Sequence, residues 1–184
     1  MTVAFDATFL LYLFREPGTV AAPNDAAGAP IGYAKERVTG LLAELQKTGT
    51  SIIVPTPALS EIMVRGGVVA GQQYVALMTR ARVFRIAPFD MRAAIETAVM
   101  HGHAVAGEKG SSATTATHAK LKYDRQIVAI AKVEGAHTFY TDDLDQRAFA
   151  EKHGMTVRGL GDLPVPTDAT QTDLFTAAGL GDDE

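Results

Sequence analysis

The sequence of 184 residues contains no cysteine. This absence excludes disulfides, thiolate catalysis and zinc sites built from cysteine, and it fits a reducing compartment. No basic stretch precedes the apolar residues near the N-terminus, so we expect no signal peptide. No apolar run is long enough to cross a membrane, and we expect no membrane attachment. These absences together predict a globular protein of the cytoplasm.

Basic residues are also missing from the end of the chain, where residues 162–184 hold six acids and no lysine or arginine. Residues 1–161 contain the remaining 15 acids and all 17 lysines and arginines, which gives that part a net charge of +2. Such a mildly basic body permits nucleic-acid binding without requiring it. We expect one folded domain over residues 1–163 and an acidic, flexible tail over residues 164–184.

Short apolar segments alternate with helical patterns along the chain. The predicted strands are 3–5, 51–54, 83–86, 136–141 and 155–158. The predicted helices are 8–15, 33–47, a helix around Glu61 that ends at Gly66-Gly67, 70–79, 90–100, 120–133 and 144–152. Residues 17–32 and 102–117 are small, polar or rich in glycine and proline, which is typical of long loops. The alternation predicts an α/β fold, a Rossmann-like α/β/α sandwich around a central, mainly parallel sheet.

Acidic residues occupy the positions where such a sheet would gather them. The four points are Asp6, Glu61, Asp124 and the segment Asp142-Asp143-Leu144-Asp145. The first and last points directly follow predicted strands, and the third is expected near the start of a helix. Because parallel strands end at a common edge, we expect these carboxylates to lie close together. Hard oxygen ligands without cysteine favour Mg²⁺ or Mn²⁺ over zinc.

Each acid also has a simpler structural interpretation. Asp6 can serve only as the N-cap of the helix that follows it. Glu61 can pair with Arg65 one turn later, and Asp124 can pair with Lys120 one turn earlier or cap its helix. The last segment can be a solvated turn. The case for a shared site therefore depends on the joint placement of the acids rather than on any one of them.

Four motifs together resemble those of PIN-domain nucleases. They are Phe5-Asp6-Ala7-Thr8, Ser60-Glu61, Tyr123-Asp124-Arg125-Gln126-Ile127-Val128-Ala129 and Tyr140-Thr141-Asp142-Asp143-Leu144-Asp145. The resemblance covers residues 2 to about 160, and the Thr141-x-Asp143 element and the late helix are its most specific parts. It implies a PIN-like fold and cleavage of single-stranded RNA by a water activated with Mg²⁺ or Mn²⁺.

The resemblance also assigns roles to individual residues. The implied catalytic acids are Asp6, Glu61, Asp124 and Asp143. Asp6, Asp124 and Asp143 would hold the metal, with Asp142 as the other candidate for the last ligand. Thr8 and Thr141 would orient the ligands or the water through hydrogen bonds without contacting the metal.

Many small PIN proteins are VapC-type toxins, which implies an antitoxin partner and a possible homodimer. This chain is longer, with the two extra loops and the acidic tail. Within the tail, Gln171-Thr172-Asp173-Leu174-Phe175 is similar to the peptides by which bacterial proteins bind the sliding clamp. Leu174 and Phe175 would be the apolar anchors and Gln171 the polar contact; alternatively, the two apolar residues pack on the chain's own body.

Other functions of parallel sheets fit the sequence less well. A receiver domain needs a pair of acids after its first strand, and a haloacid-dehalogenase-like phosphatase needs Asp-x-Asp there, whereas this chain has Asp6-Ala7-Thr8. The Gly-x-Gly-x-x-Gly pattern of dinucleotide-binding enzymes is absent. The alternative from another class is a non-catalytic module that binds nucleic acid or the clamp through a PIN-like scaffold.

Overall fold

The computed structural model of the protein describes residues 1–16, 18–105 and 115–165. The strands in this part of the chain are β1 (Thr2–Phe5), β2 (Ser51–Pro55), β3 (Phe84–Ala87), β4 (Thr138–Tyr140) and β5 (Thr156–Arg158). All pairings are parallel, and the order across the sheet is β3-β2-β1-β4-β5. β1 is central and its Val3, Ala4 and Phe5 are buried, as expected for a parallel sheet that is covered on both faces.

Helices flank this sheet and complete an α/β/α sandwich. They are α1 (Ala7–Phe14), α2 (Ala34–Lys47), α3 (Thr56–Arg80), α4 (Met91–Val105), α5 (Thr115–Val133) and α6 (Leu144–Lys152), followed after β5 by a short 3-10 turn, Leu160–Asp162. Among the described helices, none has the length and apolar character that a bilayer crossing requires.

The sheet has its topological switch point between β1 and β4. β1 pairs with β2 on one side and with β4 on the other, so the chain leaves these neighbouring strands toward different helices. The ends of the two strands remain joined, because the Asp6 backbone N–H donates to the Tyr140 carbonyl at 3.1 Å. Ligands of open parallel sheets bind at this kind of crevice.

An aromatic cluster fixes α1 against the two strands at the switch point. The Phe5 ring packs edge-on against Phe9 and Tyr140, with centroids 5.6 and 5.3 Å apart. Phe9 also contacts Tyr140 at 5.5 Å and Tyr12 at 5.9 Å. Because these rings are buried, the first turn of α1, and with it the position of Asp6, is held rigidly at the sheet edge.

The predicted order of strands and helices is confirmed in the described residues. The expected break after Glu61 is confirmed as well, because Gly67 adopts φ 79° and ψ 170° inside α3; this left-handed φ favours glycine. The helical segment after the break runs to Arg80 rather than 79.

The predicted loop over 102–117 is wrong at both ends. α4 continues to Val105 and α5 begins at Thr115, so helix replaces loop wherever this segment is described. The two helices pack against each other, and tertiary packing commonly overrides weak local helix propensity. Residues 106–114 and the predicted tail beyond Val165, including Gln171, Leu174 and Phe175, lie outside the described residues.

Candidate active site at the sheet edge

Asp6 is the most deeply buried acid at the switch point, with 1% of its surface exposed. It is the N-cap of α1, and its Oδ1 accepts a hydrogen bond from the Phe9 backbone N–H at 2.8 Å. Its Oδ2 accepts from the Thr141 hydroxyl at 2.7 Å. Both oxygens are therefore held by neutral donors, one from α1 and one from the residue that follows β4.

Burial raises the pKa of the Asp6 carboxyl to about 7. The hydrogen bonds from Phe9 and Thr141 oppose the shift, whereas the nearby charges of Asp142 and Glu61 add to it. Removing a carboxylate from water disfavours its charged form unless a cation compensates. Asp6 is thus a carboxyl that stands near half-protonation at neutral pH and lacks a positive partner in the described structure.

Asp142 lies on the other side of the crevice, and burial raises the pKa of its carboxyl as well. Its Oδ1 accepts from the Leu160 backbone N–H at 2.8 Å. Its Oδ2 is buried without a donor among the described residues. The Tyr12 hydroxyl lies beside it but donates to the Ala21 carbonyl at 3.2 Å. Asp142 therefore presents a buried oxygen that has spare accepting capacity.

Asp124 and Asp143 form a second acidic group, which Lys120 bridges. The Lys120 Nζ lies 2.7 Å from Asp143 Oδ2 and 3.4 Å from Asp124 Oδ2. The remaining oxygens are held by neutral donors. Asp124 Oδ1 accepts from the Gln146 side-chain amide at 2.8 Å, and Asp143 Oδ1 accepts from the backbone N–H groups of Asp145 and Gln146 at 2.9 and 3.0 Å as the N-cap of α6.

The two carboxyls respond differently to these surroundings. Burial raises the pKa of Asp124, despite the opposing effects of Gln146 and Lys120. Partial burial works in the same direction at Asp143, but the hydrogen bonds from Lys120 and from the Gln146 backbone outweigh it, and the pKa of Asp143 falls. The pKa of the Lys120 ammonium rises, mainly through its hydrogen bond to Asp143.

Thr141 connects the two groups. Its hydroxyl donates to Asp6 Oδ2 and accepts from the Asp143 backbone N–H at 3.0 Å. The side chain is fully buried, so its orientation is fixed by these two bonds. Thr8 lies half-buried in the first turn of α1. The supporting roles predicted for the two threonines remain predictions, although the position of Thr141 is the one that such a role requires.

Glu61 is set apart from the other acids. Its side chain is 39% exposed and forms an ion pair with Arg65 at 2.9 Å. Its charge still acts on Asp6. The predicted pairing of Glu61 with Arg65 is therefore observed. Glu61 nevertheless lies close enough to the crevice for its charge to affect Asp6.

The simpler interpretations of Asp6 and Asp124 are also observed, since Asp6 caps α1 and Asp124 contacts Lys120. Neither contact removes the carboxylate from the sheet edge. The placement of Asp124 near a helix start is wrong. α5 begins at Thr115, well before Asp124, and the positive end of the helix dipole acts only within the first turn.

Gln146 is a site residue that sequence reasoning missed. The spacing of Asp143 and Gln146 is that of a capping box, in which the glutamine side chain would return to the N-cap backbone. Instead its amide donates to Asp124 Oδ1 on the neighbouring helix. The spacing signalled the helix start, but the contact between α6 and α5 depends on the tertiary fold.

The donor chemistry of the site fits a hard divalent cation, because the acidic side chains offer carboxylate oxygens. Among the described residues, Asp142 Oδ2 is buried without a hydrogen bond, and Asp124 Oδ2 is contacted by the Lys120 ammonium at 3.4 Å. As the side chains stand, however, no three acidic or histidine groups in the described part of the chain converge as metal ligands. The Lys120 ammonium lies between two of them.

No protein-family model matches the sequence. No curated protein matches it either. Among solved structures, the fold is similar to VapBC2 from Rickettsia felis, which was determined bound to a DNA fragment from its promoter. The two chains are 13% identical, with a TM-score of 0.54, and the match covers 86% of this chain and 98% of that one. A second similar structure is VapC20 from Mycobacterium tuberculosis, a toxin that cleaves the sarcin-ricin loop, with 17% identity, a TM-score of 0.47, and coverage of 79% and 93%. The structural neighbours are thus VapC-type PIN-domain toxins, and the predicted PIN-like fold is confirmed.

Proposed function

We propose that the protein is a Mg²⁺- or Mn²⁺-dependent endoribonuclease that cleaves single-stranded RNA. The observation that carries the proposal is the buried Asp6 at the switch point, whose carboxyl stands beside Asp142 and has no cationic partner among the described residues. Four acids that follow β1 and β4 or lie on α5 share this edge in a PIN-like fold. Burying carboxyls in this way is costly unless a cation is part of the working site.

Within this proposal, Asp6, Asp124 and Asp143 hold the cation, and Asp142 is the alternative last ligand. A bound divalent ion supplies Lewis acidity and lowers the pKa of water toward neutrality. Thr141 fixes Asp6 Oδ2 and the backbone of Asp143 with one hydroxyl. Gln146 holds Asp124 Oδ1, and the start of α6 holds Asp143 Oδ1. These bonds leave the Oδ2 atoms of Asp124 and Asp143 as the oxygens available to the cation.

Glu61 is the least constrained of the four proposed catalytic acids. Its exposed carboxylate can leave Arg65 at little cost, because exposed ion pairs on a helix contribute only about 0.3–0.5 kcal/mol. We assign it to the outer side of the crevice, where it can accept a proton from the attacking water. Thr8 takes the supporting position on the first turn of α1.

The proposal extends to the organisation and partners of the protein. Residues 1–163 form the nuclease domain, and residues 164–184 form the acidic tail. The VapBC2 likeness supports a role as the toxin of a toxin–antitoxin pair in the cytoplasm, with an antitoxin partner and a homodimer. Sliding-clamp binding through Gln171, Leu174 and Phe175 remains a prediction from the sequence.

A non-catalytic nucleic-acid-binding module is the second candidate. The observation that favours it is the Lys120 ammonium, which contacts both Asp124 and Asp143 and offsets part of their negative charge without any metal. In that function the PIN-like scaffold would bind RNA through its basic surface and leave it intact. Cleavage assays separate the two candidates, because a folded module of this kind binds RNA but produces no fragments.

The test is cleavage of a panel of single-stranded RNA and DNA oligonucleotides with Mn²⁺, Mg²⁺ or a chelator. We expect metal-dependent cutting of RNA by the wild type. Asp6→Asn should lower the rate by roughly 10²- to 10³-fold, which corresponds to a loss of about 3–4 kcal/mol of transition-state stabilisation. Glu16→Gln makes the same chemical change at an exposed position and should retain the wild-type rate. A folded wild type that binds RNA without cutting it with either metal would support the binding module instead.

A further inference from the structure

Lys120 lies between the two carboxylates that the proposed function assigns to the metal. It is one turn before Asp124 on α5, and its Nζ reaches across to Asp143 at the start of α6. Both contacts are made by Oδ2 atoms. These are the only oxygens of the pair that the described neutral donors leave free, since Gln146 and the α6 backbone take both Oδ1 atoms.

The same two oxygens are therefore the ones most open to a divalent cation that binds this pair. Mg²⁺ prefers oxygen distances of about 2.0–2.1 Å, so a cation bound to these oxygens lies close to the ammonium, and the two positive charges repel each other. The Lys120 side chain is 57% exposed, and its stem is long and flexible. Its ammonium can therefore swing into solvent without disturbing the core, because exposed ion pairs contribute about 0–1 kcal/mol.

We propose that Lys120 is a tethered cation that competes with the divalent metal for Asp124 and Asp143, an inference that rests on the proposed function. In the metal-free protein, the ammonium offsets one of the two negative charges of the pair and bridges α5 to the start of α6. When the metal site fills, the ammonium leaves the pair and moves into solvent. Lys120 thus sets the metal affinity of the site and prevents the pair from repelling when empty.

The test measures Mn²⁺ binding by calorimetry and by electron paramagnetic resonance, without substrate. Lys120→Met keeps the length of the stem and removes the charge. We expect Mn²⁺ to bind this variant roughly five- to tenfold more tightly, because both competing ion pairs of Lys120 are lost. Lys122→Met is the matched control, because Lys122 is exposed on the same helix and forms no ion pair in the described structure. Its affinity should equal that of the wild type.

Lys120→Arg adds a second control, because it retains a positive charge and should keep the affinity within roughly threefold of the wild type. Equal or weaker Mn²⁺ binding by a folded Lys120→Met protein would overturn the competition while leaving the proposed nuclease intact. Absence of Mn²⁺ binding by all four proteins would overturn both. Tighter binding by Lys122→Met as well would reduce the effect to general surface charge and would also overturn the role of Lys120.

Discussion

Asp6 and Asp143 each cap the helix that follows one of two neighbouring strands, yet the pKa of the Asp6 carboxyl is raised and that of the Asp143 carboxyl is lowered. Each caps the helix that follows its strand and accepts from backbone N–H groups of the first turn. Asp6 is fully buried among neutral donors, and its pKa rises to about 7. The Asp143 side chain is 25% exposed beside the Lys120 ammonium, and its pKa falls.

The difference shows that a helix cap does not fix the charge of the capping carboxylate. Cap hydrogen bonds favour the ionised form at both sites, so they cannot explain opposite shifts. Desolvation prevails where no cation is near, and a single ammonium reverses the balance where one is present. The charge that Asp6 lacks is the one that a divalent ion would supply, whereas Asp143 already has a substitute from its own chain.

The largest effect predicted from this comparison concerns the stability of Asp6→Asn. The carboxyl has a pKa of about 7 in the folded state against 3.8 when unfolded, so the folded state binds its proton more tightly. The stability that the protonated Asp6 carboxyl contributes to the folded state is complete below pH 3.8 and is lost as the pH rises through 7. The asparagine variant does not titrate. We therefore expect it to be more stable than the wild type at pH 8 without divalent metal, by up to about 4 kcal/mol.

Urea denaturation at pH 4, 6 and 8 measures this difference. The gap between the variant and the wild type should shrink toward zero at pH 4, whereas Glu16→Gln should follow the wild type throughout. An Asp6→Asn protein that is less stable than the wild type at pH 8 would show that Asp6 is not strained by its burial. A gap that is constant with pH would exclude titration of Asp6 as the cause.

A smaller effect is expected from Thr141, whose hydroxyl links Asp6 to the backbone of Asp143. Thr141→Val keeps the shape of the side chain but leaves Asp6 Oδ2 without its donor and the Asp143 N–H without its acceptor. A buried group that loses its hydrogen-bond partner costs about 1–3 kcal/mol. Thr141→Ser keeps the hydroxyl and should lose less than the valine variant. Chemical denaturation at pH 8 measures both, and equal losses would mean that the methyl group, rather than the hydroxyl, matters.

The parts of this site that local sequence determines could be predicted. Apolar strands followed by acids located Asp6 and Asp142, because a parallel sheet places strand ends at one edge. The N-cap alternative for Asp6 also follows from local chemistry, as aspartate before a helix satisfies free backbone N–H groups. The break at Gly67 was predictable because its left-handed φ favours glycine.

The contacts between distant segments could not be predicted in the same way. Asp124 and Lys120 form a local pair that the helical spacing indicates, but the reach of Lys120 to Asp143 joins α5 to the start of α6. The same is true of Gln146, whose partner depends on how the two helices pack. The start of α5 at Thr115 was not predicted either, because the local helix propensity of that segment is weak.

The smallest predicted effect tests the other half of the comparison, the charge of Asp143. Asp143→Ala removes the cap of α6 and should cost about 1 kcal/mol. Asp143→Asn keeps an acceptor for the Asp145 and Gln146 N–H groups and breaks only the exposed pair with Lys120, so it should lose less than half as much.

Because the folded pKa of Asp143 lies below 3.8, its stabilising contribution is present above that pH and is lost as the pH falls through the folded value. The gap between wild type and Asp143→Asn should therefore close in acid and persist at pH 8, and high salt should narrow it. Equal losses for the two variants would instead mean that the ion pair with Lys120, which both variants break, outweighs the cap of α6.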